Sequence, residues 1–508
     1  MEKNSARVAK NTLYLYFRTL FVMCISIYTS RIVLEVLGVE NYGIYNVVGG
    51  FVAMFSVLSG TLTAASQRYI AFELGKQKPQ LAKVFSTTIS IHFLLAFVIF
   101  ILLESIGIWF LNNKMNIDQD RLFAANCVFQ CSVITFCVSL VSIPYNAAIV
   151  AYEKMSVFAY ISIFEVLAKL GAVYALFIIK YDSLIVYAIF MLVVAIMLRC
   201  IYGTYCNRVL KDCRYRLLLD KRIFKEMLGF CGWNFIGSSS AILNGQGINL
   251  LINLFFGVTL NAARGISSQV ENAVNTFVQN FMMALNPQIT KGYASQDYAY
   301  VIKLLVLGTK ISFFLFGIIC LPIFLNAEYI LKIWLKNVPE YACLFVKLGL
   351  IYNLLQNLSQ CLYTVMLASG KIKNYQLVVG GLGLLAFPAT LLFFKMGLGP
   401  EWGYLSIIIF SIVCFIARLP FIKKMLPGFF VHMLLKKALI PIFFSTISAV
   451  VIAYFINISI QNSSFVVFVL KVALIVFSCC IVVFFIGFSK EEKSKVLEIV
   501  KNKIVKKK

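Results

Sequence analysis

The chain is poor in the groups that carry out chemistry. It holds only two histidines, His92 and His432, and 21 acidic residues among 508. Two isolated histidines cannot assemble a metal-ligand cluster, so no metal centre is expected. No segment fits GxxxxGK[ST], which excludes the usual phosphate-cradling loop for direct use of ATP. Long polar loops are missing too. Connections between apolar runs reach about twenty residues at most, and none gathers Asp, Glu or His as acid–base catalysis requires. These absences count against an enzyme, including a membrane enzyme of glycan assembly, and no cofactor is expected. The fourteen cysteines do not read as a disulfide framework. Most lie in apolar segments, as Cys24, Cys137, Cys479 and Cys480 do, which suits buried, reduced thiols.

What is abundant is apolar surface. Hydrophobic residues make up 61% of the chain and charged residues 13%, with a mean hydropathy of +0.88. Apolar runs of about twenty residues recur from end to end, the pattern of an all-α polytopic membrane protein. The runs are continuous rather than alternating, which argues against a β-barrel. The basic start MEKNSARVAK resembles a signal-peptide n-region. The segment after it is too long and lacks a small-residue cleavage site, so it reads as the first span.

About fourteen spans are expected, at approximately 11–37, 43–72, 84–111, 121–149, 156–179, 183–207, 226–256, 259–289, 303–327, 342–369, 374–395, 402–422, 437–457 and 464–488. The formal charge of +25 sorts by loop. GKQKPQLAK, NRVLKDCRYRLLLDKRIFKEM, SGKIKN, FIKKMLPGFFVHMLLKK and the tail are basic. GVENYG, FFGVTLN, GLGPEWG and NISIQNSS carry no Lys or Arg. The alternation predicts cytoplasmic N- and C-termini, and the basic loops imply anionic lipid as a partner rather than nucleic acid.

The two halves match weakly at an offset of about 220 residues. LGVENYG corresponds to FFGVTLN, LGKQKPQLAKVF to GYASQDYAYVIK, and PYNAAIVAYEK to LYTVMLASGK. The expected organisation is a six-helix lobe at 1–210, a second at 211–425, two further helices at 426–490, and a basic amphipathic cytoplasmic tail at 491–508. Two lobes in parallel repeat are an arrangement that transporters use to hold substrate between them.

Polar residues inside spans mark the candidate path, because a polar stripe cannot face lipid cheaply. In the eighth span Arg264, Ser268, Glu271, Asn275, Gln279 and Asn286 recur at steps of three, four or seven, along one helix face. The seventh adds Asn244 and Gln246, within an NGQG stretch that predicts close packing or a local break. The tenth adds Asn353, Gln356, Asn357 and Gln360. The first lobe carries Arg18, Arg31, Glu35 and Arg68. Arg68 also fits a side chain snorkelling to the helix end, and Arg31–Glu35 fits a local i,i+4 ion pair, as Glu165–Lys169 does. Arg264 and Glu271 are too far apart for a comfortable pair on one helix, so at least one is expected to meet another helix or a ligand.

NTLYLYFRTLF, SRIVLEVLGVENYGIYNVV and the run to SQRYIAFELGK resemble the polysaccharide transport proteins, the Wzx-like oligosaccharide flippases. PYNAAIVAYEK is similar to that family's fourth-span ending. The resemblance implies membership of the superfamily of MATE exporters and MurJ lipid II flippases. It implies two six-helix lobes plus two C-terminal helices, and translocation of undecaprenyl-pyrophosphate-linked oligosaccharide across the bacterial inner membrane for surface polysaccharide synthesis. On that reading Arg18, Arg31, Arg68 or Arg264 engages the pyrophosphate, since Arg suits bidentate phosphate contacts. Ser268, Asn275, Gln279, Asn244, Gln246, Asn357 and Gln360 offer hydrogen bonds to sugar. Glu271 or Glu35 is the candidate for coupling to protons or sodium ions, and glycan-assembly proteins are further expected partners. The alternative is a MATE-like, cation-coupled multidrug exporter. The arginines at depth weigh against it, because an organic cation calls for carboxylates and aromatics.

Overall fold

The structure is a computed structural model. It describes residues 2–53, 55–76, 80–114, 119–179, 181–210, 212–216, 220–256, 258–335, 338–460 and 464–494, with some side chains in the first half and around 246–262 left out. The basic tail expected at 491–508 lies outside the described residues from 495 onward. No strand forms among the described residues. In a bilayer this follows from the backbone: with no water to satisfy its polar groups, a single span must bond within itself.

Fourteen long helical segments follow in order: α1 (Glu2–Ala53), α2 (Ser56–Leu74), α3 (Leu81–Asn113), α4 (Gln119–Ala151), α5 (Met155–Ala175), α6 (Ser183–Val209), α7 (221–256), α8 (Val258–Ala294), α9 (Tyr298–Leu325), α10 (Ala342–Ser369), α11 (Lys373–Lys395), α12 (Trp402–Met425), α13 (Val431–Ser459) and α14 (Phe465–Gly487). A short helix, Ala327–Trp334, joins α9 to α10. Among the described residues ten helices, α3 to α6 and α9 to α14, are long and apolar enough to cross a membrane.

Local sequence sets the helix ends. Asp182 accepts from the Leu184 amide at 3.0 Å, and Asp297 from the Tyr300 amide at 3.1 Å, each capping a helix start. Gly370 ends α10 in the left-handed region, with φ 72°. Glu153, after α4, takes the same conformation with φ 61°. The turn expected at LGVENYG is narrower than the sequence implied. Only Gly38 leaves helical geometry (φ 74°, ψ 167°), and the helix resumes directly after it. A glycine adopts that conformation without a β-carbon penalty, so one residue is enough for the break. The second expected span, 43–72, is interrupted near Phe55, where α1 gives way to α2.

The chain divides into two compact units: Arg7–Phe235, and Ile236–Lys508 together with Met1–Ala6. The first is centred on α4, whose Val128, Phe129 and Val133 are fully buried in a cluster with Leu103 of α3 and Leu37 of α1. Lipid is as apolar as leucine, so helices here associate by close packing rather than by the hydrophobic effect. The second unit shows this at its glycines. A β-carbon at Gly308 of α9 would overlap Leu285 of α8 and Cys361 of α10, and one at Gly383 of α11 would overlap Ser240 of α7.

Candidate functional site: a buried charge network beside a polar cavity

The polar stripe of α8 turns inward within the second unit. Glu271 accepts three hydrogen bonds from three elements. Ser267 Oγ reaches Oε1 at 2.9 Å from one turn back on α8. The Tyr404 hydroxyl of α12 reaches the same oxygen at 2.7 Å, and Asn353 Nδ2 of α10 reaches Oε2 at 2.6 Å. Asn275 donates in turn to Asn353 Oδ1. Asn357, one turn further along α10, donates to the Asn353 carbonyl at 2.9 Å. A carboxylate network of this kind, with donors on both oxygens, locks three helices together.

Arg264 sits two turns before Glu271 and is only 4% exposed. Its guanidinium centre lies 4.2 Å from the centre of the Tyr404 ring, a cation–π contact. Nη2 donates to the Asn244 carbonyl at 3.3 Å. Nε and Nη1 are buried with no acceptor among the described residues. Glu271 meets α10 and α12, and Arg264 meets α7 and α12, so both reach beyond their own helix. Arg264 keeps two donors open and has no carboxylate partner among the described residues.

The carbonyl that meets Arg264 has a local cause. The expected break at NGQG is a π-helical turn, Leu243–Gly247. Such a turn shifts the i→i−4 ladder and leaves backbone groups available to side chains. Asn244 also donates Nδ2 to the Gly383 carbonyl at 3.1 Å, tying α7 to α11. A second π turn, Gln376–Gly380 on α11, packs against Gly237 of α7. Between them lies a cavity of about 300 Å³, lined by residues of α7, α10, α11 and α12 that include Asn244, Gln356, Gln360, Tyr375, Gln376 and Arg418. Tyr352 lines it as well, within electrostatic reach of Arg264, Glu271 and Arg418.

The other expected site residues are distributed as follows. Ser268 is half-buried and Gln279 is exposed. Arg18, in the first unit, lies 4.7 Å from the Phe158 ring centre, with a buried Nε lacking an acceptor among the described residues and with Glu165 and Tyr202 in electrostatic reach. Arg68 is ringed by Tyr69, Phe72 and Phe230 at 4.5, 5.1 and 5.3 Å. Glu165 pairs with Lys169 at 2.6 Å, as its spacing implied. Glu35 is exposed. The side chains of Arg31 and Gln246 lie outside the described residues. Ser267, Tyr404, Tyr375 and Arg418 were not singled out by the sequence. Only Ser267 carried a local signal, its i,i+4 spacing from Glu271.

Comparison with solved structures defines the class. A MOP superfamily transporter from Pyrococcus furiosus, described as having a binding pocket of reverse polarity that suggests a different function, superposes with a TM-score of 0.66. It is 13% identical, over 82% of this chain and 95% of its own. An outward-facing multidrug resistance MATE transporter of the same superfamily gives 0.67 at 13% identity, over 82% and 96%. A MATE transporter from Vibrio cholerae gives 0.67 at 15% identity, over 83% and 98%. At these identities the likeness is one of fold: this is a multi-pass membrane protein with a MATE-like transporter architecture. Residues 8–292, more than half of the chain, match the profile of the Polysaccharide biosynthesis protein family, and the chain belongs to that family. No curated protein matches it.

Proposed function

We infer that this protein is a flippase that carries undecaprenyl-pyrophosphate-linked oligosaccharide across the bacterial inner membrane by alternating access, for synthesis of O-antigen, capsule or exopolysaccharide. The observation that carries the reading is Arg264. A guanidinium buried in a span, with two nitrogens lacking acceptors and no carboxylate partner among the described residues, is costly unless it serves a ligand. A pyrophosphate oxygen is a suitable acceptor. Arg18 supports the same reading from the first unit, with its own open donor.

Glu271 is the favoured ion-coupling residue. Its carboxylate is tied to three helices, so a change in its charge would loosen their packing. A cation exporter would use Glu271 and Tyr404 as its binding pair. Arg264 lies on that same tyrosine ring and would repel such a substrate, which favours the anionic lipid carrier. Both termini are placed in the cytoplasm on the distribution of basic loops.

Deletion of the gene tests the reading in cells. It should remove surface polysaccharide and leave lipid-linked precursor on the cytoplasmic face. Normal surface glycan without precursor build-up would overturn it.

A further inference from the structure

We propose that the cavity between the two π turns binds a sugar residue carrying a single carboxylate. This rests on the reading of the protein as a carrier of lipid-linked glycan, and it specifies which glycans are held. The cavity is at the small end of ligand sites, which run from about 300 to 1,000 Å³, so it suits a ring or two rather than a chain. Its lining is what a hydroxyl-rich ring requires. Gln356 and Gln376 supply amide donors and acceptors, and Tyr352, Tyr363 and Tyr375 supply ring faces with polar tips.

The charge of the lining is equally specific. Arg418 is the one charged residue among the described residues that line it. Arg418 Nε donates to the Tyr375 hydroxyl at 3.0 Å, which fixes the plane of the guanidinium. Its two Nη atoms have no hydrogen bond among the described residues, so the bidentate edge remains for a ligand. A planar fork with one positive charge matches one carboxylate. On the flippase reading the pyrophosphate is taken by Arg264, behind Asn244. The glycan and the pyrophosphate of one substrate would then be recognised by different arginines.

The test uses the purified full-length protein in lipid nanodiscs, titrated with glucuronate, glucose and inorganic pyrophosphate and followed calorimetrically. Glucuronate should bind at least about tenfold more tightly than glucose. Arg418→Gln should erase that difference, and Arg418→Lys should keep part of it. Ser411→Leu fills the cavity and leaves the Arg418–Tyr375 bond in place, so it should abolish binding of both sugars. Equal binding of glucose and glucuronate would overturn the proposal. So would a preference that survives Arg418→Gln, or pyrophosphate displacing glucuronate from the wild type. Binding is read without transport, which separates the two ideas. Glucuronate binding in a protein that moves no lipid-linked glycan would sink the flippase reading alone. Flipping without any preference for glucuronate would sink only the cavity assignment.

Discussion

Gly349 of α10 stands directly against the carboxyl group of Glu271 on α8: a β-carbon at Gly349 would overlap it. The glycine makes room for the acid, and the acid then gathers Ser267, Asn353 and Tyr404. Gly349→Ala should therefore push the Glu271 side chain out of its network. Overpacking of this kind costs about 1–3 kcal/mol. The expected result is a lowered unfolding midpoint in detergent and a transport loss as deep as that of Glu271→Ala. A Gly349→Ala protein with wild-type stability and transport would show that the acid does not depend on this contact.

Tyr404 serves two partners with different parts of its side chain, so two substitutions should separate them. Tyr404→Phe keeps the ring under Arg264 and loses the hydrogen bond to Glu271. Because that bond goes to a carboxylate, its loss should cost about 1.5–3 kcal/mol. Tyr404→Leu loses the cation–π contact as well, and should cost about 0.5–2 kcal/mol more. Chemical unfolding of the two variants gives the difference. Equal stabilities would mean the ring contributes nothing to seating Arg264.

Lys310 of α9 is 1% exposed, and its amine is 2.6 Å from Glu492, which follows α14. Glu492 also accepts from the Ser489 amide at 2.7 Å, so the segment after the last helix is pinned to the second unit by a buried charge pair. Glu492→Ala leaves the lysine charge without its partner and should destabilise by about 3–5 kcal/mol. Adding Lys310→Met should restore most of that loss. A double variant no better than Glu492→Ala would contradict the pairing.

Outside the spans, Asp220 Oδ1 accepts from the Arg222 and Ile223 amides at 2.8 and 3.0 Å, capping α7. Its other oxygen pairs with Lys83 at 2.5 Å. These contacts, the Lys83 hydrogen bond foremost, hold its pKa down at about 2, from an ordinary 3.8. The folded pKa lies below the unfolded one. The stability it confers is thus fully present above about pH 4 and is lost as pH falls toward 2. Melting curves of wild type and Asp220→Asn should differ at neutral pH and converge at the acid end. A constant gap across that range would rule out this linkage.

The fold was legible because membrane spans announce themselves by length and apolarity. Much of the charge network was legible too. Arg264, Glu271 and Asn275 share a helical face, and Asn353 and Asn357 form a polar turn in an apolar span. The residues that complete it were hidden for physical reasons. Tyr404 is one of five aromatics in an apolar helix, and only tertiary packing places it between Arg264 and Glu271. Arg418 lies about two turns before the basic end of α12, where it reads as part of the topology signal. Nothing in the sequence distinguishes Gly349, whose role is space for a side chain 78 positions away, from a glycine that merely packs. Ser268 was preferred to Ser267 because stripe reading ranks residues by angle around the helix, whereas the hydrogen bond to Glu271 selects by i,i+4 reach.

The central claim is that Arg264 serves an anionic, lipid-linked glycan rather than the scaffold. Its most direct test is reconstitution of wild type and Arg264→Ala in vesicles carrying undecaprenyl-pyrophosphate-linked oligosaccharide, with outward movement scored by accessibility of the glycan to an external lectin. The wild type should move the glycan. Arg264→Ala, shown by gel filtration to be folded, should slow the movement by at least about tenfold, the loss of one charge-assisted contact. Movement at the wild-type rate in the Arg264→Ala protein would contradict the account.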